Sequence, residues 1–309
     1  MYNEKKDVIV ICGPTASGKT KLGIELARKL NGEIISADSM QIYKDMDIGT
    51  AKPTLEERKM AVHHLVDFVS PDQRYSVADF KKDAVKSIEE IISRNKIPII
   101  VGGTGLYINS LIYNIDFKEE KTDLEYRKSL EEKPIQELYE NALKIDPEAL
   151  KKISENDRKR ITRILEIYHT TGKTKTELEI ESRKEVPYNY HIFVLSMDRE
   201  ILYDRINRRV DMMLEQGLIE EVQRVTREYD SFPTAMQGLG YKEVVEYLEN
   251  KLTKEEMIEK IKQESRRYAK RQLTWFRAYK QAVWLDGTQK TAEENVQIVL
   301  DNMKKAERI

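Results

Sequence analysis

The sequence predicts an α/β fold, a parallel sheet covered by helices and interrupted by a helical insertion domain. Three observations carry the prediction. Apolar, β-branched runs of strand length recur at Asp7–Cys12, Glu33–Ala37, Ile97–Val101, His191–Ser196 and Ala282–Leu285. The segments between them have helical periodicity, and strands alternating with helices read as a parallel sheet. Between Phe117 and Pro187 the strand signals vanish into a stretch rich in Glu, Lys, Leu and Ile, broken only at Pro134, Pro147 and Gly172. The expected domains are therefore a discontinuous core of residues 1–117 and 188–309 and an insertion at 118–187.

Composition fits a globular chain. The 309 residues include 53 basic and 54 acidic ones, interleaved to a net charge of −1, and 40% are hydrophobic, which excludes a disordered tail or a charged low-complexity protein. No apolar run approaches the 18 or so residues of a membrane span, and Met1–Asp7 lacks the apolar stretch of a signal peptide. A single cysteine, Cys12, forms neither an intramolecular disulfide nor a thiolate cluster, which agrees with a reducing cytoplasm. It reads as a small apolar filler at a strand end.

The first strand runs into Gly13-Pro14-Thr15-Ala16-Ser17-Gly18-Lys19-Thr20, which satisfies the phosphate-loop pattern G-x-x-x-x-G-K-[ST] in its required strand-to-helix context. The expected fold is thus P-loop NTPase-like. Backbone N–H groups at a helix amino terminus meet phosphate oxygens, Lys19 supplies a point charge and the Thr20 hydroxyl is a Mg²⁺ ligand. Leu22, Leu26 and Leu30 repeat at i+4 toward the sheet. A nucleoside triphosphate such as ATP is the default occupant, but any diphosphate satisfies the same donors.

The second strand delivers Asp38-Ser39-Met40-Gln41-Ile42-Tyr43 to the sheet edge, with Asp38 as metal ligand, general base or turn residue. A capping box at Ser76 and Asp79 opens a helix whose Val77, Phe80, Ala84, Ile88 and Ile91 share a face. The third strand ends in Gly102-Gly103-Thr104-Gly105, so two glycine turns and the Asp38 segment should line one crevice at the strand carboxyl ends. His63-His64 lacks a third ligand and diverging side chains argue against a metal pair.

Positive charge is concentrated in two places. From Lys260 to Lys280 there are eight basic residues and one acid, Glu264, on a helix opened by a Thr253/Glu256 capping box. On its wheel Met257, Ile261, Tyr268, Trp275 and Tyr279 share an apolar face, beside a stripe of Lys262, Arg266, Lys270, Arg277 and Lys280. The second cluster is Lys151, Lys152, Arg158, Lys159, Arg160 and Arg163. Both suit a polyphosphate backbone or a solvated face. Arg199, Arg205, Arg208 and Arg209 flank an amphipathic segment that either clamps phosphates or faces solvent.

Taken together, GPTASGKT, ADSMQIYKDMDIGTAKP from Ala37, HHLVD from His63, GGTGLY from Gly102, DRKRITRILEI from Asp157 and QGLGYKE from Gln237 resemble the tRNA dimethylallyltransferase family over most of the chain. The resemblance implies that the loop, Gly13, Pro14, Thr15, Ala16, Ser17, Gly18, Lys19 and Thr20, holds dimethylallyl diphosphate rather than ATP, with Arg205 and Arg209 on the diphosphate and Mg²⁺ on Thr20. It implies prenyl transfer to the exocyclic amine of the adenosine 3′-adjacent to the anticodon, with Asp38 as base beside Lys19 and Thr104. It places tRNA contacts at Asp38, Ser39, Met40, Gln41, Thr104, Arg127, Lys159, Arg160, Ile161, Thr162 and Arg163, so that the insertion grips the anticodon stem-loop. A cytoplasmic monomer without membrane contact is expected. The rival reading is a small-molecule or nucleotide kinase on the same fold, which accounts for the loop and the arginines but not for the basic helix or DSMQIY.

Overall fold

The structure, a computed structural model, describes residues 5–117, 123–151 and 153–306. Six strands form one parallel sheet, β1 (Lys6–Cys12), β2 (Gly32–Ser36), β3 (His63–His64), β4 (Ile97–Gly102), β5 (Tyr188–Ser196) and β6 (Val283–Asp286), in the order β3-β2-β4-β1-β5-β6. Val8 to Cys12 in the central β1 are all at 0% exposure, because helices cover both sheet faces and leave no strand face for polar residues. Cys12 faces Gly102 in β4 and Val194 in β5, so the carboxyl ends of these strands are level. That register brings the two glycine turns to one edge. Burial raises the Cys12 thiol to about 12, which makes it a packing residue at neutral pH.

Four helices follow within the first part of the chain: α1 (Lys19–Leu30), α2 (Leu55–Met60), α3 (Val77–Ser93) and α4 (Gly105–Ile112). The Ser76/Asp79 capping box is formed, and Phe80, Ala84, Ile88 and Ile91 are fully buried. The strand β3 has no signature in the sequence, since two residues are too few to show an alternation. His64 Nε2 donates to Glu33 Oε2 at 2.7 Å, and His63 Nδ1 bonds Ala61 O at 2.8 Å.

Glu33 sits at the start of β2 at 3% exposure and also receives Arg94 (2.7 Å) and Lys96 (2.8 Å). Burial alone would raise its pKa, but the bonds from Lys96, His64 and Arg94 outweigh it and bring the carboxyl to about 2. A depressed carboxylate stabilises the fold above its ordinary pKa near 4.5 and stops doing so as pH falls through about 2. Glu33→Gln should therefore lower the melting temperature at pH 7, with the gap to the native chain closing between pH 4.5 and 2 in thermal melts. A gap as large at pH 2 as at pH 7 would remove this ion cluster as its source.

The described residues cluster into two units, Met1–Ile112 with Pro187–Ile309, and Tyr113–Val186. The second begins five residues earlier than position 118, which itself lies outside the described residues. Its helices are α5 (Leu124–Glu131), α6 (Ile135–Ile145), α7 (Pro147–Leu150), α8 (Arg158–Thr171) and α9 (Lys175–Glu181), and Leu130, Leu138, Ala142, Leu150, Ile164 and Leu165 make a core of its own. Asn114 Nδ2 donates to Glu185 O at 2.6 Å, tying the two ends of this unit together. Ile161 belongs to that core at 0% exposure, which corrects its place among the RNA contacts: on α8 it turns inward while Lys159, Arg160 and Arg163 are exposed. Lys152 lies outside the described residues.

The chain returns to the first unit through β5 and continues with α10 (Arg199–Glu215), α11 (Leu218–Glu228), α12 (Tyr241–Leu248), α13 (Lys254–Phe276) and α14 (Ala292–Ala306). The Thr253/Glu256 capping box opens α13. Its buried residues are Met257, Ile261, Ala269, Gln272 and Phe276, and Tyr279 just beyond it is 5% exposed, so the expected apolar face is largely buried except at Trp275, which is 39% exposed. The helix also packs against α10. Lys262 Nζ reaches Asp211 at 2.7 Å and Arg266 Nη1 donates to Asn207 at 2.6 Å, which takes two members of the expected basic stripe out of the free surface. Among the described residues no helix is long and apolar enough to cross a membrane.

Candidate active site

The phosphate loop joins β1 to α1. A side chain at Gly13 would place its Cβ 2.3 Å from Leu195 O, and Gly18 caps α1 at φ +99°, a conformation that suits glycine. Lys19 Nζ donates to Pro14 O at 2.6 Å. Burial, and then the Arg209 guanidinium, lower the Lys19 ammonium from 10.5 to about 8, against the opposing pull of Asp38 and Cys12.

Three cavities meet at this loop. The largest, about 830 Å³, is lined by Ala16, Gly18, Lys19 and Thr20 and carries Lys52, Arg58, Arg205, Arg208 and Arg209 on its other walls, a surplus of positive charge. A small chamber of about 90 Å³ lies beside it, and Lys19, Thr20, Pro53 and Arg209 line both. A third cavity of about 350 Å³ shares Thr15, Asp38, Thr50, Arg209 and Tyr268 with the chamber. Arg209 lines all three. The chamber is thus the narrow junction between a basic cavity on the phosphate-loop side and a cavity edged by Asp38, Ser39 and Met40.

Asp38 follows β2 as a half-buried residue whose Oδ1 accepts from Met40 N (2.9 Å) and Gln41 N (3.3 Å). These bonds fix the carboxylate at the chamber wall. Gln41 is committed elsewhere: its Nε2 donates to Thr50 O and Ala51 O, and its Oε1 accepts from Ser36. Thr104 lines none of the three cavities, and its Oγ1 instead accepts from Ser39 N at 3.1 Å. Gln41 and Thr104 thus brace the loop, and Gln41 also lines the chamber. In the second unit, Arg127 Nε lies 2.8 Å from the buried Glu166 and Arg163 3.8 Å from it, while Lys159 and Arg160 are exposed on the first turn of α8.

Several site-forming residues carry no motif of their own. Gln272 on α13 bonds both glycine turns, and Tyr268, one turn earlier, lines the chamber and the third cavity. Glu221 on α11, 5% exposed, accepts from the backbone N–H groups of Asp47, Ile48 and Gly49 and from the Tyr241 hydroxyl (2.6 Å). A Cβ on Gly49 would lie 2.4 Å from the Tyr241 ring. The DMDIGT loop and the QGLGYKE segment are therefore one packed assembly behind the cavities. Glu221→Leu strands three N–H groups and a hydroxyl, at about 1–3 kcal/mol each where burial persists. Denaturant titration should show a loss of at least about 3 kcal/mol; a loss below about 1 kcal/mol would mean that the loop holds itself.

Among the described residues no group of three His, Cys, Asp or Glu side chains is placed to hold a metal unaided. The chamber does offer the Thr20 hydroxyl beside the basic cavity. One protein oxygen suits Mg²⁺, which keeps its waters and takes its other ligands from a bound diphosphate.

A family model described as IPP transferase matches residues 41–279, and one described as Isopentenyl transferase matches residues 6–70. The tRNA dimethylallyltransferase of Acetivibrio thermocellus is 52% identical over 296 residues, 94% of this chain and 95% of that protein. The one from Anoxybacillus flavithermus is 50% identical over 287 residues, 93% and 92% of the two chains. The full-length tRNA isopentenylpyrophosphate transferase of Bacillus halodurans superposes with a TM-score of 0.74 at 42% identity, over 99% of this chain and 100% of that one. A eukaryotic dimethylallyltransferase solved acting on tRNA gives 0.82 at 34% identity, over 97% and 80%. Phosphate loop, sheet order and near full-length likeness agree, and the chain belongs to the IPP transferase family, the tRNA dimethylallyltransferases, which makes it a prenyltransferase.

Proposed function

We propose that this chain transfers the dimethylallyl group of dimethylallyl diphosphate to the exocyclic amine of the adenosine 3′-adjacent to the anticodon in tRNA. The observation that carries the reading is the junction: a basic cavity on the phosphate-loop side and an Asp38-edged cavity open onto one small chamber. The donor enters on the basic side, with Lys19, Thr20, Arg205 and Arg209 around its diphosphate. The adenine, extruded from the anticodon loop, enters past Ser39 and Met40.

In the chamber the amine nitrogen bonds to C1 of the dimethylallyl group as the C1–O bond breaks, and that electron pair leaves on the diphosphate. The amine proton passes to Asp38, whose Oδ1 is already engaged by two backbone N–H groups, so Oδ2 takes it. Lys19 and Arg209 stabilise the charge that accumulates on the leaving group. Mg²⁺ held at the Thr20 hydroxyl would supply further neutralisation of the diphosphate. Arg127, Lys159, Arg160, Thr162 and Arg163 contact the anticodon stem-loop, mostly through phosphates and shape. The buried Glu166 holds Arg127 at 2.8 Å and limits the rotamers that it must give up on binding.

Incubation with labelled dimethylallyl diphosphate and unmodified tRNA, followed by nuclease digestion, should yield one prenylated adenosine and inorganic pyrophosphate. ATP consumption without prenyl incorporation would overturn the reading in favour of a kinase.

A further inference from the structure

We infer that Gln272 is a positioning residue for the donor site, setting the orientation of the Pro14–Thr15 peptide and through it the place of the Lys19 ammonium; this rests on the reading of the phosphate loop as the dimethylallyl diphosphate site. Gln272 is 6% exposed on α13, and its side-chain amide spans the two glycine turns. Nε2 donates to Gly103 O at 2.9 Å, and Oε1 accepts from Thr15 N at 2.8 Å. The first bond fixes which end of the amide faces the phosphate loop, because a carbonyl at Gly103 accepts only from nitrogen.

Thr15 N–H and Pro14 C=O belong to one peptide unit. The chain has no cis bonds among the described residues, and in a trans unit these groups point in opposite directions. Holding the N–H toward α13 therefore aims Pro14 O the other way, and there it receives Lys19 Nζ at 2.6 Å. A buried glutamine costs free energy unless both ends of its amide are bonded, so a residue that merely filled this gap would be apolar. Gly103 leaves room for it: a Cβ there would stand 2.2 Å from Gln272 Nε2. With the Gln272 bond gone, the peptide keeps only the bonds that Pro14 O accepts, from Lys19 Nζ and the longer one from Ser17 N (3.4 Å), so Pro14 O shifts from Lys19 more readily and the loop donors are ordered in part by the diphosphate itself.

The test uses Gln272→Met, which keeps length and flexibility but makes neither bond, and Gly103→Ala, which displaces the amide with Gln272 intact. Each full-length protein is titrated calorimetrically with inorganic pyrophosphate in the presence of Mg²⁺, and steady-state KM is measured for both substrates. Pyrophosphate affinity should fall about tenfold in both variants, and KM for dimethylallyl diphosphate should rise by a similar factor while KM for tRNA stays within about twofold. Should Gln272→Met fail to fold, Gly103→Ala carries the same readings. Equal pyrophosphate affinity in native and variant proteins would overturn the inference alone. So would a joint rise of both KM values, which would make Gln272 general scaffolding. Absence of pyrophosphate binding to the native chain would overturn the donor-site reading and this inference with it.

Discussion

Asp38→Asn should lower kcat by about 10²–10⁴-fold while leaving tRNA affinity within a few-fold. The substitution preserves shape and an oxygen for Met40 N and Gln41 N, so the loop after β2 keeps its path. What it removes is a basic oxygen. An aryl amine is a poor nucleophile while it keeps its proton, and a carbonyl amide does not take that proton. Single-turnover assays with labelled donor would isolate the chemical step, and filter binding would report tRNA affinity. A kcat within about threefold of the native value would remove Asp38 as the base and direct attention to solvent as the proton acceptor. Loss of tRNA binding in parallel with kcat would instead make Asp38 an anchor for the adenine.

The same residue marks how far the sequence could be read. Asp38 and the phosphate loop are visible because each lies next to a strand whose burial on both faces forces a continuous apolar run, and a loop at a strand end needs only its own residues to make an anion nest. Gln272 and Glu221 are invisible for the opposite reason. Their partners stand 257 and about 173 positions away in the chain, so their function exists only after folding. Nothing in the wheel of α13 distinguishes Gln272 from a solvated polar residue. The basic stripe shows a related limit: Lys262 and Arg266 are cations in the sequence, but Asp211 and Asn207 on α10 meet them in the fold. Ile161 shows the limit of carrying a motif as a block. The run Lys159 to Arg163 is contiguous in sequence, yet one helical turn sends its apolar member into the core and its cations outward.

Lys19→Met should lower kcat/KM for dimethylallyl diphosphate by about 10²–10³-fold, with a large share of the loss in kcat. Burial and Arg209 already disfavour the Lys19 ammonium, bringing it to about 8, and in the free protein its neighbour is an uncharged carbonyl, Pro14 O. An ammonium held this way is poorly compensated until an anion arrives. The diphosphate gains negative charge on the ester oxygen released from C1 as the C1–O bond breaks, so the interaction strengthens along the reaction coordinate. In the small chamber, shielded from bulk water, that added charge is felt more strongly than at a surface. Methionine keeps the apolar stem and removes only the charge. Lys19→Arg should rescue little, since a planar guanidinium does not fit the place of a compact ammonium beside Pro14 O and Arg209. Comparing pyrophosphate affinity with kcat separates the two contributions: a fall confined to affinity, with kcat intact, would restrict Lys19 to donor binding and leave stabilisation of the departing diphosphate to Arg209.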